Sequence, residues 1–196
     1  GEAWQSRIPE KNIEFQAGLN FIVGGNGCGK SSVLKAIKST LEKSAGGKLT
    51  DSDCLVSVKA PFQLVQRDFE DSFRFMRSAQ NPLEMSLIFD AKQESHGQNV
   101  QRYLEGLDGL PSLSEDPLLM LFDEPESGLD FRAVLELSAK FKALENQAAQ
   151  LIVATHEPLL FLQPNVHVIS LDKDPAYIEN ARTAFRTVLD AQPGHD

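Results

Sequence analysis

Gly24, Gly25, Asn26, Gly27, Cys28, Gly29, Lys30 and Ser31 follow the spacing G-x-x-x-x-G-K-[ST], the pattern of a loop that wraps a chain of phosphates. A glycine-rich backbone lets successive N–H groups converge on one anion with no Cβ atoms in the way. Lys30 is then placed to reach the β- and γ-phosphates of a nucleotide, and the Ser31 hydroxyl offers a hard oxygen to Mg²⁺, with Ser32 closing the segment. A second set of residues complements the first. Leu118 to Phe122 are five apolar residues followed by Asp123 and Glu124, as expected of a buried strand that delivers carboxylates to its carboxyl end. Asp123 would face Mg²⁺ opposite Ser31, and Glu124, one residue on, would polarise an attacking water. Two adjacent carboxylates in a dry cleft repel, and a metal ion's charge offsets that repulsion.

The elements that must hold these residues are readable on either side. Leu19, Phe21, Ile22 and Val23 read as a buried strand entering the glycine-rich loop, and Val33, Leu34, Ile37 and Leu41 recur at helical spacing from Ser31 to Lys43. After Asp123-Glu124, the segment Pro125 to Asp130 is a turn, and Phe131 to Asn146 is a helix with apolar residues at 134, 135, 137, 141 and 144. Leu151 to Ala154 is another apolar strand, ending at Thr155-His156. A histidine at the carboxyl end of a central strand lies where ligands bind in open α/β sheets, which favours a phosphate or water contact over a structural role. Tyr177, Ile178, Ala181, Phe185, Val188 and Leu189 predict a closing helix within 175–192.

Composition bounds the rest. The chain has 196 residues and a net charge of −9, enough length for one domain with a proper core. The acidic balance does not support direct nucleic-acid binding, although a local basic patch or a partner could supply that contact. No apolar run is long enough to span a bilayer and no signal peptide is evident, so a soluble, cytoplasmic chain is expected. With only Cys28 and Cys54, one of them in the phosphate loop, reduced thiols are expected rather than a structural disulfide.

In order and spacing, these motifs resemble those of the ATP-binding cassette (ABC) ATPases. The resemblance rests on GGNGCGKSS at 24–32, the Asp-Glu-Pro ending at 125, Ser-Gly-Leu-Asp at 127–130 where that family has its D-loop, and Thr-His at 155–156 where it has its switch histidine. Asp-Glu-Pro-Glu, followed later by Ala-Thr-His-Glu-Pro-Leu-Leu, looks like the stand-alone branch of AAA-type ATPases with a cassette fold, which includes relatives of DNA-repair and defence ATPases. The resemblance implies a P-loop α/β fold, a mostly parallel sheet flanked by helices, as a single ABC-type ATPase domain over 1–196 with a helical insertion at about 62–94. It also implies a signature segment that one subunit presents to the γ-phosphate on another. Ser95-His96-Gly97-Gln98 lies in the right interval, so Ser95, Gly97 and Gln98 are expected nucleotide contacts. Ser95 would cap a helix running to about Glu105, whose positive end faces phosphate. His96 and Glu94 depart from the transporter pattern and point to the stand-alone branch.

The family also has a glutamine that touches Mg²⁺. Gln63 and Gln66 follow the strand-like Leu55 to Val58; of the two, Gln63 lies nearer the strand's end and is the expected metal contact, with a plain surface glutamine as the alternative reading. Residues 67–90 carry Phe69, Phe73 and Met76 among alternating charges, either a shortened helical arm for a partner or a helix covering the sheet. Trp4 stands where the family often stacks an aromatic on adenine, against the commoner fate of packing.

The expected activity is Mg²⁺-dependent ATP binding and hydrolysis, with Glu124 activating water and His156 holding the γ-phosphate and that water. Two copies would close head to tail around ATP to drive an unknown effector, in a repair- or defence-like role. The alternatives are the ATP-binding subunit of a membrane transporter, with its permease on another chain, and a nucleotide-dependent binding switch with little hydrolysis.

Overall fold

Five residues, Leu19–Val23, form β1 and are buried along their whole length, which requires layers on both faces of the sheet that contains them. In the computed structural model, described over residues 12–45, 63–68, 104–107, 118–146 and 150–191, β1 is followed by α1 (Lys30–Ala45) and then β2 (Gln63–Asp68). Next come β3 (Leu118–Asp123), α2 (Phe131–Glu145), β4 (Gln150–Ala154), the short α3 (Pro158–Phe161), β5 (His167–Ser170) and α4 (Tyr177–Asp190). The strands lie in the order β2-β3-β4-β1-β5, and every pairing among them is parallel. The parallel α/β sheet flanked by helices that the sequence implied is the architecture observed.

Alternation along the strands builds the two faces. Phe21, Met120, Phe122, Leu151 and Val153 point to one side, where they pack with Val134, Leu137 and Phe141 of α2, Leu160 and Phe161 of α3, and Leu104 and Leu107. Ile22, Leu119, Leu121, Ile152 and Ala154 point to the other, against Val33, Leu34 and Ile37 of α1. On the first side the Phe122 and Phe141 rings meet at 5.0 Å in a tilted arrangement. Because all strands run the same way, their carboxyl ends share one edge, and the order leaves β4 between β1 and β3.

Two strands were not anticipated from the pattern. β5 is a four-residue, half-buried edge strand, too short for its alternation to stand out. β2 occupies 63–68, at the start of the expected helical insertion; there the chain pairs with β3 from Gln63 opposite Leu118 to Asp68 opposite Asp123, supplying hydrogen bonds to the flank of β3 that β4 leaves open. The remainder of that insertion and the strand expected at 55–58 lie outside the described residues. None of the helices among the described residues is long and apolar enough to cross a membrane.

Candidate functional site

The loop from β1 to α1 turns at Gly24, with φ +146°, and Gly27, with φ +79°. At Gly24 the constraint is double, since a Cβ would also lie 2.7 Å from Cys28 Sγ and 3.0 Å from the Asp172 backbone nitrogen. Lys30, the first residue of α1, is buried, and its ammonium donates to the Gly24 carbonyl at 2.9 Å and to that of Gly25 at 3.5 Å. The loop is thus folded over its own lysine. Ser31 Oγ donates to Asp123 Oδ1 at 2.9 Å, joining the first turn of α1 to the last residue of β3. Burial pushes the Asp123 carboxyl above the ordinary aspartate range, with the Ser31 hydrogen bond opposing and Glu124 reinforcing that shift.

Glu124 is bent away from the strand that delivers it. Its φ of +46° is left-handed, uncommon for a residue with a side chain, and its N–H donates to the Ala154 carbonyl at 2.9 Å. The carboxylate comes to 4.0 Å from Lys30 Nζ and 3.6 Å from His156 Nδ1. His156 reaches it because Thr155 continues β4 past its end, donating its N–H to the Ile22 carbonyl at 3.0 Å. Since β4 lies between β1 and β3, the histidine emerges between the phosphate loop and the carboxylate pair. Lys30, Ser31, Asp123, Glu124 and His156 therefore meet at one edge, where a cation, two carboxylates and an imidazole surround the mouth of a glycine cradle. Such a set suits an anionic ligand with a bound divalent cation.

A family model described as AAA domain matches residues 7–151. The chain belongs to the AAA domain family, among the ABC-type P-loop ATPases. Relatives of this AAA domain carry the same theme in their names. It is 29% identical to an uncharacterized ABC transporter ATP-binding protein of Haemophilus influenzae, over 83% of this chain and 75% of that protein. It is 27% identical to the sn-glycerol-3-phosphate import ATP-binding protein UgpC of Psychromonas ingrahamii, over 69% of this chain but only 43% of that one. Among solved structures it is similar to AMPPCP-bound DnaA from Aquifex aeolicus at 16% identity, covering 89% of this chain and 49% of that one with a TM-score of 0.42. The fold of the AAA domain is read from its own strand order.

The remaining expected site residues separate into two groups. Ser95, Gly97, Gln98 and Trp4 lie outside the described residues. Gln63 is described, and it opens β2 beside Leu118, five residues before the register level of Asp123. At about 3.3 Å per residue its backbone stands roughly 16 Å along the strand from the level of Asp123; the expected Mg²⁺ contact by Gln63 assumed a residue just past a strand's end, whereas β2 begins with this glutamine.

Two residues escaped the sequence reading of this AAA domain. Glu126 is buried, and its Oε1 accepts from Thr155 Oγ1 at 2.5 Å and from the His156 backbone N–H at 3.2 Å. Asp172, just past β5, accepts from the Gly25 N–H at 2.8 Å; hydrogen bonds from Asp174 and Gly25 hold its carboxyl below the ordinary range. The second acid of Asp-Glu-Pro-Glu was a signal for Glu126. Asp172 had none, because its partner is a backbone group 147 positions away.

Proposed function

We propose that the chain binds ATP with Mg²⁺ and hydrolyses it, and that two copies close head to tail around nucleotide to drive a partner protein in a repair- or defence-like process. The position of Glu124 carries this reading: one carboxylate within 4.0 Å of Lys30 and 3.6 Å of His156 joins the phosphate loop to an acid–base pair. In the proposed reaction a water oxygen bonds to the γ-phosphorus as the bond to the β-phosphate oxygen breaks. Glu124 orients that water and takes its proton. Lys30 swings from the loop carbonyls to the β- and γ-phosphates, and His156 holds the transferred group and the water in line. Gly25 to Ser32 wrap the phosphates.

Ser31 and Asp123 fit Mg²⁺. A hydroxyl and a carboxylate face each other at 2.9 Å, two hard oxygen donors of the kind that hold Mg²⁺ together with substrate phosphates. When bound, the ion would supply positive charge to the phosphate oxygens.

In this reading residues 1–196 act as one cytoplasmic domain, with Ser95, Gly97 and Gln98 completing the partner copy's site. A second reading, the ATP-binding subunit of a membrane transporter, is favoured by the names of the relatives; a permease gene beside this one would support it, and a nuclease or other effector gene the first. ATP turnover per chain, measured across a hundredfold range of protein concentration, tests the shared site. The rate should rise with concentration to a plateau, and a constant rate would overturn the dimer.

A further inference from the structure

Glu126 carries an assignment that extends this reading of His156. Its side chain is 5% exposed, and its Oε2 is buried with no hydrogen-bond partner among the described residues. A buried carboxylate is costly to keep, and a neutral acceptor would satisfy Thr155 as well. Oε1 does more than that: it receives the Thr155 hydroxyl and the His156 N–H and lies 3.7 Å from His156 Nδ1. Glu124 Oε1 faces the same ring nitrogen at 3.6 Å. Two acceptor oxygens thus converge on Nδ1, and none of these contacts engages Nε2.

We propose that Glu126 is a positioning residue for His156: it fixes the backbone at the end of β4 and keeps the ring hydrogen on Nδ1, so that Nε2 is the nitrogen turned to nucleotide and water. A histidine's two nitrogens are not equivalent, and the partner of one decides the role of the other. Glu126 reaches no substrate atom itself. The assignment rests on the proposed role of His156, and the test separates the two.

Long-range ¹H–¹⁵N spectra of the histidine rings in the nucleotide-free chain, with His156→Gln used for assignment, report which nitrogen of His156 bears the hydrogen. The wild-type ring should carry it on Nδ1, and Glu126→Gln should move the population toward the Nε2–H form. A wild-type ring already in the Nε2–H form, or a ring spectrum that Glu126→Gln leaves unchanged, overturns the proposal without any assay of activity. In steady-state ATP turnover, Glu126→Gln should lower kcat by about tenfold with KM for ATP within about twofold. The double variant with His156→Ala should then lose no more than His156→Ala alone, as for groups acting in one chain; losses that multiply would overturn it. A normal rate for His156→Ala would instead remove His156 from the hydrolytic reading, a failure that the ring spectra distinguish from failure of Glu126.

Discussion

Ser31 Oγ and Asp123 Oδ1 are joined by a 2.9 Å hydrogen bond across 92 positions of sequence. The contact ties the helix that follows the phosphate loop to the end of a strand two places away in the sheet, with β4 between them. Its geometry follows from parallel topology alone. When β1, β3 and β4 all run the same way, whatever follows each of them arrives at one edge, and short side chains there are brought within reach. The bond also predicts competition. Mg²⁺ bound between these groups must divert the serine lone pairs and the carboxylate, so Ser31→Ala should weaken Mg²⁺-dependent ATP binding by about tenfold while leaving metal-free nucleotide binding within about twofold. Calorimetric titration with and without Mg²⁺ measures both, and equal losses in the two conditions would remove Ser31 from metal binding.

Glu124 has the strained backbone and the charged neighbours of a group held for chemistry. Glu124→Gln keeps shape and hydrogen-bonding capacity but cannot take a proton, so ATP should bind with near-normal affinity while turnover falls by about 10²–10⁴-fold, the usual contribution of a general base. Rapid-quench kinetics separate binding from the chemical step. Near-normal hydrolysis by this variant would exclude Glu124 as the base.

Gly24 and Gly27 share a loop but should differ in tolerance. Both have positive φ, so alanine at either carries a backbone cost, about 1–2 kcal/mol in the left-handed region nearer Gly27 and about 1–3 kcal/mol in sparsely populated conformations such as that of Gly24. At Gly27 a Cβ would meet nothing within 4 Å, whereas at Gly24 it would strike Cys28 Sγ and crowd the Asp172 backbone nitrogen. Gly24→Ala should therefore lower the melting temperature more than Gly27→Ala and abolish ATP binding by deforming the cradle. Thermal unfolding and nucleotide titration of the pair would show this, and equal effects would mean that backbone angle alone matters.

The residues that announced themselves in the sequence did so for a physical reason. Asp123, Glu124 and His156 each follow a strongly apolar run, and Lys30 and Ser31 close the glycine-rich loop that leaves another; a buried strand followed by polar groups implies a sheet edge. α2 was equally legible, since Val134, Leu137, Phe141 and Leu144 are buried at helical spacing and Asp130 caps it by accepting from the Ala133 N–H at 2.9 Å. β2 was misread because its polar residues, Gln63, Gln66, Arg67 and Asp68, suggest a surface segment, and only its pairing with β3 makes it a strand. Asp172 and Glu126 act through groups distant in sequence, the first on a loop amide and the second on the end of β4. Such contacts have no local periodicity and become visible only when the sheet brings the strand ends together.

Glu126 makes stability depend on pH with a defined sign. Burial raises its carboxyl above the ordinary glutamate range, while the Thr155 hydroxyl, the His156 amide and the His156 ring oppose that shift without cancelling it. The folded state therefore binds the proton more tightly than the unfolded chain, and stability falls as pH rises from about 4.3, the unfolded value, through the raised folded value. Glu126→Gln removes this titration. Its amide, whose hydrogens meet no partner at the Oε2 position among the described residues, adds an offset that does not follow this titration. The difference in unfolding free energy between wild type and Glu126→Gln should thus favour wild type most at the acid end and shrink as pH rises through that window. Urea unfolding of the nucleotide-free chain at a series of pH values measures the difference directly, and a difference that grows in favour of wild type with rising pH would mean that the hydrogen bonds to Thr155 and His156 outweigh burial.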